Sequence, residues 1–289
     1  MKYEIFSDSS SNLTDDLIDK LQLKVVSLVY VLGGVEFTSY VKGRNNDLKE
    51  FYNLLRQKQE ISTSCVNCQT FIDAFEPVLQ SGKDLLYIGF SSALSATFSA
   101  AQTACENLRE KYPDRKILCV DTLGASLGQG LLCYYACNMR LDGKSIDEAY
   151  AFVQNNKLNL AHWFTVDDLY WLFKGGRITK SAYWAASIAK IKPVLHMDNL
   201  GRLVPVHKVI GRKKSIITLA DHVASSIVNP DSQMIFISHG DCIDDVELLK
   251  KKISEKIKVK GFYSNYVDPV VGAHSGPGTL AVFCLADKR

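Results

Sequence analysis

The sequence predicts an α/β protein of two domains, a parallel-sheet α/β/α domain over residues 1–160 and an α+β two-layer domain over 161–289. Three observations carry this. At 289 residues the chain exceeds the usual single core, since domains run to roughly 100–200 residues. Its first half repeats a strand, a polar turn and a helix, the rhythm of a parallel sheet covered on both faces. Its second half mixes a hairpin with helices, the rhythm of helices laid on one sheet.

In order, Tyr3 to Ser7 alternates as a strand and runs into Asp8-Ser9-Ser10-Ser11-Asn12. Leu13, Leu17, Ile18 and Leu21 follow at helical spacing, with Thr14 and the aspartates as caps. The strand from Asp84 to Gly89 leads through Ser91-Ser92 to a helix from about Ser95 to Lys111. Ile117 to Asp121 leads to a second helix through Leu131 to Met139. Such sheets bind ligands at the carboxyl ends of their strands, where these turns lie. Further on, Pro193 to Met197, a turn at Asp198 to Gly201, and Arg202 to Val206 read as a hairpin. Helices are expected over 213–228 and 244–257, and strands over 234–238 and 279–285.

Composition removes several function classes. With 34 Lys plus Arg against 31 Asp plus Glu, the net charge of +3 is small for a dedicated nucleic-acid binder. Hydrophobic residues at 47% exclude intrinsic disorder. No run of 18 apolar residues suggests a membrane span, and Met1 to Ser11 does not read as a signal peptide, so a cytoplasmic protein is expected. The eight cysteines are then reduced thiols, and Asn12-Leu13-Thr14 is not a glycosylation site. Cys65 and Cys68 form a lone CxxC, for which no second pair is spaced to complete a zinc site; no metal is expected. The chain has neither a phosphate loop nor an HExxH helix, and no serine nucleophile elbow is expected.

Hydroxyl-rich and glycine-rich turns remain: Ser62-Thr63-Ser64, Ser91 to Thr97, Asp121-Thr122 with Ser126, Lys174 to Ile178, and His274-Ser275-Gly276-Pro277-Gly278. Singly, each is an ordinary cap or turn. Together, hydroxyls and backbone N–H groups at helix N-termini make an anion site that needs no cationic side chain.

In their order along the chain these motifs resemble the DegV family of bacterial fatty-acid-binding proteins. The TSxP-like loop is at Thr63, the SSxLSGTY-like segment at Ser91 to Phe98, and Ser126-Leu127-Gly128-Gln129-Gly130 follows Asp121. The GGRI turn spans Gly175 to Ile178, GRKK spans Gly211 to Lys214, and the HxGPG turn closes the series. The resemblance implies a long-chain fatty acid held between the domains. Its carboxylate would be gripped by Thr63 and Ser95, with Ser64 and Ser92 close and His274 completing the site. It also implies a carrier subunit without catalytic residues or cofactor, presenting the acid to a separate fatty acid kinase that makes acyl-phosphate for phospholipid metabolism. Arg177, Arg202, Lys208 and Arg212 are then candidate phosphate or kinase contacts.

The chain departs from the pattern at four places. Val66 replaces the proline of TSxP, Ala96 and Phe98 replace the glycine and tyrosine of LSGTY, and Ile210 stands where many relatives carry a basic residue. Phe98 is expected to remove a hydroxyl from the site, and Ala96 to narrow the approach to the carboxylate. Burying about fifteen methylenes at roughly 0.8 kcal/mol each contributes about 12 kcal/mol before entropy costs. The tunnel should therefore set affinity and the polar residues orientation. Two other classes share these turns: a keto-sugar-type kinase or phosphotransferase subunit using His274, and a module that senses lipid without passing it on.

Overall fold

The computed structural model describes residues 2–44, 47–186 and 191–289. The first half begins with β1 (Tyr3–Asp8), a 3-10 turn at Ser9–Ser11, α1 (Asp15–Leu21) and β2 (Lys24–Val26). Then come β3 (Val29–Leu32), β4 (Val35–Thr38), α2 (Leu48–Arg56) and β5 (Ile61–Ser64). After α3 (Cys68–Gln80), β6 (Asp84–Gly89) and α4 (Thr97–Lys111) come β7 (Ile117–Asp121), α5 (Leu127–Leu141) and α6 (Ile146–Asn156). The second half holds β8 (Leu160–Thr165), α7 (Tyr170–Lys174), α8 (Lys180–Ala186), β9 (Ile191–Met197), β10 (Leu203–Ile210) and α9 (Arg212–Ser226). It closes with β11 (Met234–His239), α10 (Ile243–Ser254), β12 (Gly261–Tyr266), α11 (Pro269–Ser275) and β13 (Leu280–Leu285).

Two large sheets result. One is parallel throughout, in the order β2-β1-β6-β7. The other is mixed, in the order β10-β9-β8-β13-β11-β12, with only β11 and β12 parallel. Phe71, Phe75 and Leu108 seal α3 and α4 onto one face of the parallel sheet. On its other face, Leu131, Leu132 and Val153 of α5 and α6 share a core with Phe236 and Phe283 of the mixed sheet. Helix α5 is thus sandwiched between the sheets, buried on nearly every side in its first two turns. Along β13, Ala281 and Phe283 face that shared core while Leu280, Val282 and Cys284 face α9 and α10, as the two-residue period of a strand requires.

The third sheet, β4-β3-β5, was not foreseen. Its hairpin turns at Gly33-Gly34, both with positive φ (60° and 81°), the pair of conformations a type I′ turn needs. This sheet matters because β5 delivers Thr63, and because α11 packs against it and against α2 through Phe51, Tyr52 and Ala273. All eight cysteines are free thiols. Among the described residues no helix is long and apolar enough to cross a membrane, and no cluster of three or more metal-ligating side chains occurs.

Candidate functional site

The carboxyl ends of β1, β6 and β7 face the inner surface of the mixed sheet beside the start of α5, and a cavity of about 300 Å³ lies there. Phe90, Leu94 and Ala125 from the parallel-sheet turns, Phe164 and Phe283 from the mixed sheet, and Val270 from α11 give it apolar walls. Ser64, Cys65 and Ala96, all exposed, mark its mouth.

Polar side chains converge just inside. The Thr63 hydroxyl and His274 Nε2 lie 2.7 Å apart. Pairing of β5 with β3 places Thr63, and α11 places His274 in its last turn. Pro269 starts that helix at a position whose N–H needs no partner, and the Asp268 carboxylate caps it by accepting from the N–H groups of Val270 and Val271 at 3.3 and 3.1 Å. Burial, helped by the Arg177 guanidinium, pushes the His274 pKa down to about 4, so the ring is neutral near pH 7. Its Nδ1 has no hydrogen-bond partner. Gly175 packs directly on this nitrogen, where a Cβ would stand 2.1 Å away, so the GGRI turn needs glycine there.

Arg177 bridges the two halves. Its Nε and Nη2 donate to the Leu94 carbonyl at 3.1 and 3.0 Å, and its Nη1 donates to the Gly175 carbonyl. Ser95, next to Leu94, has its Oγ 2.9 Å from the Thr97 hydroxyl and accepts the Thr97 N–H at 3.2 Å, closing the entry to α4. Thr63, Ser64, Ser95, Arg177 and His274 therefore all line one cavity.

Other sequence-selected residues lie apart from it. Ser92 is exposed and outside the lining, with its N–H directed at the Asp121 carboxylate at 3.3 and 3.4 Å. Arg202 pairs with Asp198 at 2.9 Å across the β9–β10 turn. Lys208 stands exposed on β10. Arg212, most of its side chain buried, bonds Asp245 at 2.9 Å and the Gly278 carbonyl at 2.6 Å, tying α9 to the GPG turn. The Phe98 ring packs in the core 6.3 Å from Tyr87, so the missing tyrosine hydroxyl is not lost from the cavity wall. Val66 is likewise buried in that core, while Ala96 lines the mouth and Ile210 is exposed.

His162 and Ser238 line the cavity without having been singled out, and Ser126, expected only as a turn hydroxyl, lines it too. Gly124-Ala125-Ser126-Leu127-Gly128 has the G-x-S-x-G spacing between β7 and α5, so the expectation of no serine elbow is corrected. Ser126 holds the strained backbone of such an elbow, φ 55° and ψ −145°. Its Oγ bonds Asn12 Oδ1 at 2.6 Å and Ser238 Oγ at 2.9 Å, partners that orient it and supply no histidine base. His162, on the inner face of β8, lies in a strand that no motif singles out.

Comparison with known proteins gives a consistent result. A family model described as "Uncharacterised protein, DegV family" matches residues 2–287. A DegV domain-containing protein of Clostridium perfringens is 44% identical over all of this chain and 99% of its own length. A similar protein of Streptococcus pyogenes serotype M3 is 33% identical over the same shares. Among solved structures, a Thermus thermophilus DegV family protein described by its fatty acid binding superposes with a TM-score of 0.86 at 23% identity, covering 99% of this chain and 100% of that one. A stearic-acid-binding protein of Eubacterium ventriosum superposes with a TM-score of 0.84 at 21% identity, covering 97% of both chains.

Proposed function

The chain belongs to the DegV family, and on that premise we propose that it binds a long-chain fatty acid and is not itself an enzyme. The carboxylate sits at Thr63, Ser95 and His274, and the acyl chain fills the cavity behind them. The observation that carries this reading is the 2.7 Å contact between Thr63 and a neutral His274 at the mouth of an apolar cavity. With His274 Nε2–H donating to the Thr63 oxygen, the Thr63 hydroxyl is free to donate a charge-assisted hydrogen bond to a carboxylate, and Ser95 can give a second. Arg177 spends its guanidinium on two backbone carbonyls, so it adds positive potential without a fork aimed at the ligand. A carboxylate held this way keeps a lone pair free. A separate fatty acid kinase, working in the cytoplasm with ATP, would transfer phosphate to that oxygen at the exposed mouth. A keto-sugar, with a hydroxyl on nearly every carbon, would set several of them against Phe90, Leu94, Phe164 and Phe283 without partners.

The test is direct. Protein purified from a bacterial host should release fatty acid on extraction, seen by mass spectrometry, and the delipidated protein should bind palmitate or stearate saturably. No saturable binding removes the reading. Formation of acyl-phosphate on addition of a fatty acid kinase and ATP separates a carrier from a sensor.

A further inference from the structure

We propose that the buried end of the cavity is a polar subsite, built by His162 with the Ser126–Ser238 hydroxyl pair, that accepts a hydroxyl or oxo group carried along the acyl chain. The inference rests on the fatty-acid reading above. It starts from the register of the mixed sheet, which sets Phe164, Ala281 and Ser238 in one row and His162, Phe283 and Phe236 in the next. Ala281, the smallest side chain of the six, leaves the space that the cavity occupies.

His162 is 3% exposed and sits between two rings, its centroid 4.6 Å from Phe283 and 6.4 Å from Phe164. Its Nδ1 has no hydrogen-bond partner and lies against the bare α-carbon of Gly128, where a methyl group would stand 3.3 Å from it. That leaves the opposite edge of the ring, Nε2, to the cavity that His162 lines. Burial holds the imidazole neutral, so one nitrogen donates and the other accepts. A hydroxyl can meet Nε2 in either tautomer, and an oxo group can meet it when Nε2 carries the proton.

The hydroxyl pair offers the complement. When Ser126 donates to Asn12 Oδ1, Ser238 donates to Ser126, which leaves the buried Ser238 oxygen able to accept. Ser275, one helical turn beyond Val271 on α11, adds an Oγ with no partner to the same lining. A plain hydrocarbon chain needs none of these groups, and filling the cavity would strip them of water without replacing it. Leucine or phenylalanine at the same positions would suit such a chain better. The polar lining is matched by a ligand that brings its own oxygen.

The experiment compares stearate with a series of hydroxystearates differing in hydroxyl position, by calorimetry on the delipidated full-length protein and on His162→Phe. At least one isomer should bind wild type as tightly as stearate or tighter. His162→Phe should weaken that isomer about tenfold, the factor for one lost hydrogen bond, while stearate binding is kept or improved. His162→Gln, which retains a donor and an acceptor, should restore most of the preference and guards against misfolding of the phenylalanine variant. If every isomer is weaker than stearate by the same factor in wild type and variant, the subsite is refuted while fatty acid binding stands. If nothing binds, stearate included, the carboxylate reading fails and the subsite fails with it.

Discussion

Arg177 and Leu94 are joined by a forked contact, with Nε and Nη2 both donating to one carbonyl at 3.1 and 3.0 Å. The contact fastens the GGRI turn of the second half to the hydroxyl segment of the first, one residue before Ser95. A planar guanidinium can share one oxygen between two parallel donors, whereas a lysine ammonium cannot. Arg177→Lys should therefore behave nearly like Arg177→Ala, with a loss of about 1–3 kcal/mol in stability and weaker fatty acid binding. Urea unfolding and ligand titration check this, and a fully functional lysine variant would show that charge alone matters.

Thr63→Val keeps the shape of the side chain and removes its hydroxyl, and Ser95→Ala removes the other. Each should weaken fatty acid binding by about 1–3 kcal/mol, read by calorimetry. Ser92→Ala should change affinity little, because its side chain lies outside the lining. Wild-type affinity in both of the first two variants would take them out of the site.

Gly175→Ala should be more damaging than either, since the new methyl would meet His274 Nδ1 at 2.1 Å. The ring or the turn must move, and both set the head-group geometry. A lower Tm and loss of ligand binding are expected together. An unchanged Tm would mean that the turn relaxes at little cost.

The histidines predict an acid-labile fold. His274, His196 and His239 are held at about 4 against an ordinary 6.5, chiefly by burial, and burial holds His162 well below 6.5 as well. Between these values the unfolded chain binds more protons than the folded one, so stability falls as pH drops from 6.5 toward 4. His274 contributes at most on the order of 3 kcal/mol of this. Urea midpoints measured across that window should decline, and His274→Gln should flatten the decline. Bound fatty acid places an anion beside His274 and raises its pKa, so binding should take up a proton, and affinity should rise as pH falls through the bound-state value.

Much of the fold was legible. Alternation in Tyr3 to Ser7 and in Asp84 to Gly89, each followed by a polar turn and helical spacing, marked the parallel sheet. The β3–β4 hairpin was missed although Gly33-Gly34 signalled it, because a short half-buried sheet has little alternation to read. In the cavity lining, Thr63, Ser64, Ser95 and His274 were legible through their motifs. Ser126 was legible as a turn hydroxyl, but the G-x-S-x-G frame around it went unread. His162 had none, since a histidine inside an apolar strand looks the same in sequence whether it faces a core or a cavity.

By itself the sequence determined the family, the parallel sheet and the hydroxyl turns, because local periodicity and turn chemistry are written in consecutive residues. Only the tertiary structure decided which turns meet. Thr63 and His274 are 211 positions apart and touch because β5 and α11 pack on one another. The basic residues divide in the same way: Arg177 and Arg212 are drawn into backbone clamps while Arg202 pairs locally with Asp198. Charge is a property of composition, but what a charge does depends on the carbonyl or carboxylate that packing sets beside it.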